Sequence, residues 1–414
     1  MKCKYICVRE SYDYIKIGSE DNELSQKELQ ILVNYLSTDH NVSEIIEFNL
    51  SKIRFINYVG VIVLEDVILE ILPKISLSND LNKDRELLIN MLTICNKLPI
   101  SINESSNMFI NKSSFLEILA KLYMDNLMTQ LQKGIYCDYI CKEENLNTLK
   151  GKLFLKSHIV NNYANKSRVY CRYDNYSEDN FLNQVLKSAC TILVSKVNNE
   201  SISNEIKKTL GRFNAVKDCV INKENLEKFR FNRNNERYKK SYDFAKLIIS
   251  NASSKNTYGS KDGFSIIYEM NILYEEYIGK LVSKIWNGKS RRVKLQDKGK
   301  YLLINTISGR KNIALRPDIV LYENNIPYII IDTKWKSITY NERLNYKQGD
   351  IYQMYAYVNS YKESKKCILL YPKIDNDIEY PIWRLDNDDK FIEIMDIRLD
   401  SLQNTISDLE SKLI

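Results

Sequence analysis

Two runs in the last third of the chain are apolar at nearly every position. Tyr328-Ile329-Ile330-Ile331 leads into Asp332-Thr333-Lys334, and Cys367-Ile368-Leu369-Leu370-Tyr371 ends at Pro372. A strand with one buried face alternates apolar and polar residues. Runs like these belong to strands covered on both faces. Leu315-Arg316-Pro317-Asp318-Ile319-Val320-Leu321 precedes the first run by a turn and reads as the strand beside it. A helix opening near Ile266 carries an apolar stripe of Met270, Leu273, Tyr274, Tyr277, Leu281 and Ile285. Arg292–Leu295 and Tyr301–Asn305 read as a β-hairpin, Gln348–Tyr361 as a helix, and two short strands are expected near Ile382 and Phe391. Helix, strands, helix and strand in that order predict an α/β sandwich on a mixed sheet.

The first eighty residues have a different rhythm. Ser25 to Glu28 has the form of a capping box and opens a helix through Leu36. Ile53–Ile56, Tyr58–Val63 and Val67–Leu72 read as a meander closed by Pro73-Lys74, with Gly60 marking a bulge or a close backbone approach. From Asp84 the pattern turns helical, over Arg85–Leu92, Phe115–Gln132 with Gly134 as a C-cap, and Asn180–Val197. Lys150–Phe154 and Val169–Tyr173 look like short strands. The whole is read as an α/β (α+β multidomain) protein. It has a β-rich region over 1–80, a mostly helical region over 81–222 and a mixed-sheet domain over 223–414.

Composition narrows the chemistry. The chain has 414 residues, 44% hydrophobic and 27% charged, enough for two or three domains with sizeable cores. A net charge of +7 permits a polyanionic partner. His40 and His158 are the only histidines, which argues against a His-rich metal site or a His-based triad. The nine cysteines include Cys3/Cys7 and Cys137/Cys141 at C-x-x-x-C spacing. That is not a zinc pattern, and they read as reduced small hydrophobes. The N-terminus turns charged too early for a secretory signal, and the apolar stretch Tyr58–Leu72 is broken by Glu65, Asp66 and Glu70. A cytoplasmic protein with no membrane contact is expected. Asn287-Gly288-Lys289-Ser290 resembles the end of a phosphate-binding loop, but Ser283 stands where a glycine is required and a helix precedes it. No nucleotide is therefore expected to bind this chain.

An ionised carboxylate at the end of an apolar run is costly unless it is paired or holds a metal. Asp332 and Lys334, two apart, share one face of their strand, and Asp318 comes from the neighbouring segment. Two acids and an ammonium at one sheet edge suit metal-dependent phosphodiester cleavage. Mg²⁺, or Mn²⁺ in its place, takes oxygen ligands and keeps several waters. Asp318, Asp332 and the Thr333 carbonyl are candidate ligands. Glu275, at the edge of the helical stripe, could reach the site through a water or a second ion. Lys334 could deprotonate the attacking water or stabilise the pentavalent phosphate. The competing reading of a D-x-K strand is a solvated ion pair, and the apolar runs argue against it. Residues 223–246 hold Lys223, Lys228, Arg230, Arg233, Arg237, Lys239 and Lys240 among Phe229, Phe231, Tyr238 and Tyr242. That mixture suits a nucleic-acid backbone and its bases, or a solvated connecting helix.

Pro317-Asp318 followed by Asp332-Thr333-Lys334 resembles the PD-(D/E)xK nuclease core. Met270-Asn271-Ile272-Leu273-Tyr274-Glu275 is similar to the segment that opens the nuclease domain of the McrC family, with Glu275 as its leading acid. Gln353-Met354-Tyr355-Ala356-Tyr357 matches a Q-x-x-x-Y element that follows the core there and in RecB-like nucleases. Tyr58–Ile62, Ile71–Ile75, Arg85–Leu88 with Met91, Gly151-Lys152-Leu153 and the helix bearing Asn183 are also similar, so the resemblance spans about residues 50 to 400. It implies the nuclease subunit of an McrBC-type (5-methylcytosine) restriction system, with Asp318, Asp332, Lys334, Glu275, Gln353 and Tyr357 at the catalytic centre. It also implies a McrB-like AAA+ GTPase hexamer as partner, stimulated by this chain, and double-stranded DNA, modified or unmodified, as substrate. On that reading Lys52, Arg54 and Lys74 are expected at the ring contact, and Arg230, Arg233, Arg237, Lys239 and Lys240 at DNA. A non-catalytic adaptor and a stand-alone RecB-like repair nuclease are the competing readings.

Overall fold

A computed structural model describes residues 4–74, 80–99, 113–252, 263–340, 343–344, 346–373, 379–386 and 389–413. Ile75, at the end of the matched Ile71–Ile75 segment, lies outside them. The expected capping box forms: Glu28 N donates to Ser25 Oγ, and Ser25 N donates to the Glu28 carboxylate at 2.7 Å, opening the helix Gln26–Leu36. Beside it lies a four-stranded sheet in the order Lys4–Arg9, Val67–Leu72, Tyr58–Val63, Phe264–Glu269. The expected meander is only partly present. Lys52–Phe55 joins a separate three-stranded sheet, between Ile15–Lys16 and Ile46–Asn49. The chain turns out of that sheet at Asn57, whose φ of 55° lies in the left-handed region that asparagine tolerates.

The helix expected near Ile266 begins at Met270, and Phe264–Glu269 before it is a strand paired antiparallel with Tyr58–Val63. Gly60 is where the two backbones come closest. Its φ is +134°, and a Cβ there would lie 1.9 Å from the Ile266 carbonyl oxygen. Against one face of this sheet pack the helices Leu81–Ile94, Phe115–Leu131, Phe181–Lys196 and Lys239–Asn251, in one core with the buried face of Met270–Trp286. The middle region also carries a three-stranded sheet, Asp138–Leu146, Val169–Ser177 and Lys152–Leu153. Its strands are largely solvated on both faces, so they leave little apolar alternation to read.

The C-terminal sheet has six strands in the order Arg291–Leu295, Ile319–Glu323, Ile326–Thr333, Lys366–Pro372, Phe391–Ile397, Ile382–Arg384. The first three are antiparallel, and Ile326–Thr333, Lys366–Pro372 and Phe391–Ile397 run parallel. Both faces are covered, as the apolar runs require. Ile329, Ile331 and Leu370 face the Met270–Trp286 helix side, while Ile330 and Leu369 pack with Met354, Tyr357 and Val358 of the helix Gln348–Ser360. The predicted hairpin is not formed as read. Arg291–Leu295 pairs with Ile319–Glu323, and Lys300–Ile304 pairs with Lys311–Leu315 as a separate two-stranded arm. The chain leaves the sheet at Gln296, with φ 45°, and the buried Asp297, which accepts from the hydroxyls of Tyr322 and Tyr361 at 3.0 and 2.9 Å. The expected strand Leu315–Leu321 is likewise divided at Arg316-Pro317-Asp318, where Pro317 has no N–H for a ladder.

Two contacts tie the N-terminal region to the C-terminal sheet. The Asn57 carbonyl accepts from Met270 N at 2.8 Å and its Oδ1 from Asn271 N at 3.2 Å, so Asn57 caps the Met270–Trp286 helix from outside. The buried Glu10 accepts from Trp335 Nε1 at 2.8 Å, Asn57 N at 3.1 Å and Ser11 Oγ at 2.6 Å. Trp335 is the residue after Lys334.

Gly60→Ala should cost at least about 2 kcal/mol, because both the backbone conformation and the Ile266 carbonyl oppose a side chain; equal denaturation midpoints for variant and wild type would refute this. Glu10→Ala strands the Trp335 and Asn57 N–H donors at about 1–3 kcal/mol each, whereas Glu10→Gln keeps an acceptor for only one of them. Chemical denaturation should therefore rank wild type above Gln and Gln above Ala.

Candidate active site

The ends of two neighbouring strands bring the acids together. Ile319 pairs with Ile331, so Asp318 sits just beyond the ladder beside Asp332 and Thr333. Asp318 Oδ2 accepts from both Thr333 N and Thr333 Oγ1 at 2.7 Å. Past the strand end, Lys334 N donates to the Leu370 carbonyl at 2.9 Å, which holds the chain against the parallel neighbour. The Lys334 ammonium turns back to form an ion pair with Asp332 Oδ2. That oxygen is buried and, apart from the ion pair, receives no well-directed hydrogen bond.

Gln353, on the helix across the sheet face, joins the two charges. Its Oε1 accepts from Lys334 Nζ at 3.1 Å, and its Nε2 donates to Asp332 Oδ1 at 3.2 Å. Only this orientation of the amide satisfies an ammonium and a carboxylate together. Nε2 also donates to Tyr357 Oη at 2.7 Å, and Tyr357 donates to the Arg316 carbonyl at 3.0 Å. The four-residue spacing of Gln353 and Tyr357 puts them on one helix face, as expected.

The site is one positive charge short. Burial pushes Asp332 up to about 7; the Asp318 charge adds to this, and the Lys334 ammonium only partly offsets it. Burial also raises Asp318, against its two Thr333 hydrogen bonds and Lys334. For Lys334, burial alone would lower the ammonium, but the Asp332 ion pair prevails and raises it. Two acids thus share one ammonium, and a proton or a cation would fill the deficit.

The donor set fits a hard divalent cation. Asp318 Oδ1 and Asp332 Oδ2 are carboxylate oxygens with no directed hydrogen bond among the described residues. Thr333 has committed its N–H and hydroxyl to Asp318, so only its carbonyl is left as a ligand. Among the described residues no group of three or more His, Cys, Asp or Glu converges. Two carboxylates are nevertheless enough for an ion that keeps several waters. Glu275 stays outside the direct cluster. Its Oε1 accepts from Gln296 Nε2 at 2.8 Å, and burial followed by the Asp318 charge raises its pKa.

The remaining candidates lie elsewhere. Arg230 donates to the Glu227 and Phe229 carbonyls, Arg237 to the Lys133 and Gly134 carbonyls, and Lys239 pairs with Glu236 at 3.6 Å. Arg233 and Lys240 are exposed. The aromatic residues among them turn inward. Phe229, Phe231 and Tyr242 pack on one another at 4.9–5.3 Å between ring centres, and Tyr238 is buried with its hydroxyl on the Gly134 carbonyl. Lys52 lies over the Tyr14 ring at 3.7 Å, Arg54 pairs with Glu47, and Lys74 follows the strand Val67–Leu72. Gln296, Trp335 and Glu10, which brace the site, carried no local signal. Their roles come from contacts across as many as 325 positions of sequence.

Residues 53–372 match the family described as McrBC 5-methylcytosine restriction system component. No curated protein sequence matches the chain. Among solved structures, the fold is similar to a chain in the refined half-complex from a tetradecameric assembly of Thermococcus gammatolerans McrB AAA+ hexamers with bound McrC. The TM-score is 0.75 and the identity 17%, with 99% of this chain and 100% of that one covered. A chain of the Thermococcus gammatolerans McrBC complex is similar at TM-score 0.52 and 19% identity, over 69% of this chain and 89% of that one. With the family match running from the second sheet through the acid pair to the parallel strand beside it, the chain belongs to the McrBC 5-methylcytosine restriction system components.

Proposed function

We propose that this chain is the nuclease subunit of its restriction system, a Mg²⁺-dependent endodeoxyribonuclease that works with an AAA+ GTPase. The observation that carries the reading is the pair of buried Asp332 and half-buried Asp318, two acids that share one ammonium. Such an arrangement is costly as a structural device and useful as a cation site. A bound Mg²⁺, or Mn²⁺, would polarise the scissile phosphate and acidify a water. Asp318 and Asp332 would hold it, with the Thr333 carbonyl as a further ligand and Glu275 reaching inward through a water. Lys334, kept protonated by Asp332, is better suited to stabilise charge on the pentavalent phosphate than to act as base. Gln353 and Tyr357 fix the directions of Lys334 and Asp332 and so act as positioning residues.

One of the similar solved structures holds McrB AAA+ hexamers with bound McrC, which supports a ring-shaped GTPase as this chain's partner. Lys52, Arg54 and Lys74 remain candidate ring contacts. The exposed apolar residues of the helix Leu155–Asn162 in the middle region, among them Leu155, Ile159 and Val160, offer a second face for docking. The nucleotide is left to the partner, since Asn287–Ser290 follows the helix end at Trp286 and lacks a phosphate-binding loop's glycine. Double-stranded DNA is the proposed substrate, with the exposed Arg233 and Lys240 placed to face it. A non-catalytic adaptor would have no need to retain the acid pair with its bracing glutamine.

With partner, GTP and Mg²⁺ present, Asp332→Ala should reduce cleavage by at least about 10³-fold, the scale of a lost metal-ion contribution, while stimulated GTP hydrolysis continues. Loss of both activities together would instead make the residue structural. A pH effect follows from the raised Asp332. The folded state holds this proton up to about pH 7, whereas the unfolded chain releases it near about 3.9. Metal-free protein should therefore lose stability as pH rises from about 4 to 7, and Mg²⁺ should restore it at pH 8. Asp332→Asn should show neither trend. Melting curves with EDTA and with Mg²⁺ across that range check both points.

A further inference from the structure

We infer that the two-stranded arm Lys300–Ile304 and Lys311–Leu315 is a DNA-binding arm that grips the duplex beside the cleavage site, an inference that rests on the nuclease reading above. Between Lys298 and Arg316 the sequence holds five cations, Lys298, Lys300, Arg310, Lys311 and Arg316, and no acid. All five are exposed, and none forms an ion pair among the described residues. A run of unpaired cations is the footprint of a polyanion.

The arm is also apolar where it is most exposed. Leu302, Leu303 and Ile304 are consecutive and all exposed, so neither face of the ribbon covers a core. Ile307 at the tip is 97% exposed, and Ile313 is 59% exposed on the return strand. Ile313 has a φ of 57°, a strained conformation for a β-branched residue, at the point where the ladder skips from Ala314 to Asn312. Apolar side chains flanked by cations are the composition of ribbons and wedges that enter a groove while the cations hold phosphates. A second copy of this chain fits less well, since two arms of like charge would repel.

The position matches the task. The arm ends at Leu315, three residues before Asp318, so its root lies within about 11 Å of that carboxylate along the chain. The root is anchored at Asp297, through the Tyr322 and Tyr361 hydroxyls, and at the Arg316 carbonyl, through Tyr357. Lys300 Nζ sits 5.6 Å from the Tyr361 ring centre. The same helix therefore orients both the catalytic Gln353 network and the base of the arm.

The test is anisotropy of a fluorescein-labelled 30-bp duplex with the full chain, in Ca²⁺ in place of Mg²⁺ to hold off cleavage. Lys300→Ala/Arg310→Ala/Lys311→Ala should weaken binding tenfold or more and flatten the slope of log affinity against log salt by about 2 to 3 units. Leu303→Ser/Ile307→Ser should weaken binding severalfold with the slope unchanged. Lys27→Ala, which removes an exposed cation from the distant helix Gln26–Leu36, should bind as wild type. Wild-type affinity in both arm variants would overturn the proposal, as would a change confined to self-association in sedimentation velocity. If the wild type binds through the arm yet cleaves nothing with partner, GTP and Mg²⁺, the nuclease reading fails while the arm stands as a DNA-binding surface.

Discussion

Everything at the site follows from seating two carboxylates side by side against apolar strand ends. Asp332 is 1% exposed, and the half-buried Asp318 is its neighbour across those ends. The apolar strands that bury them also raise the free energy of their charged forms. One ammonium, one glutamine and the Thr333 donors compensate in part. What remains is a standing demand for positive charge at one point, which the proposed divalent ion would meet. The surrounding network reads as support for that demand. Gln353 bridges acid and base, Tyr357 orients Gln353, and the Arg316 carbonyl fixes Tyr357.

The N-terminal sheet is physically part of this construction. Its edge strand Phe264–Glu269 runs directly into the helix that carries Glu275, and Asn57 caps that helix from the other side of a sheet boundary. Glu10 reaches the residue after Lys334 through the Trp335 indole. A displacement of the N-terminal region would move the cap and the indole together. A partner docked on that region would thus be coupled by short, rigid contacts to the cluster of Asp318, Asp332 and Lys334. The coupling needs no long relay, since the strands meet at Gly60, where the absent side chain lets two backbones touch.

Much of this is legible in the sequence. The two-sided burial of Ile329–Ile331 follows from an uninterrupted apolar run, and the common face of Asp332 and Lys334 follows from a two-residue period. The capping box at Ser25 and the helix face shared by Gln353 and Tyr357 are equally local. Errors arose where pairing, not local preference, set the outcome. Arg291–Leu295 could form a hairpin with the next strand or join Ile319–Glu323, and the buried Asp297 turn selects the second. The strand Asp138–Leu146 leaves no local signal, because a ribbon solvated on both faces has no apolar period.

Which strands are buried, which side chains carry charge into them and which residues share a face are all written in the local pattern. These are properties of a few adjacent positions, governed by sterics and hydrophobic period. That Phe264–Glu269 completes the N-terminal sheet, that the Phe229 and Tyr242 rings pack inward and that Glu10 meets Trp335 follow instead from distant parts of the chain packing together. Those outcomes depend on which of several possible partners arrives at an open sheet edge or an unpaired buried donor. That choice is made by long-range packing, which leaves no periodic mark on the chain.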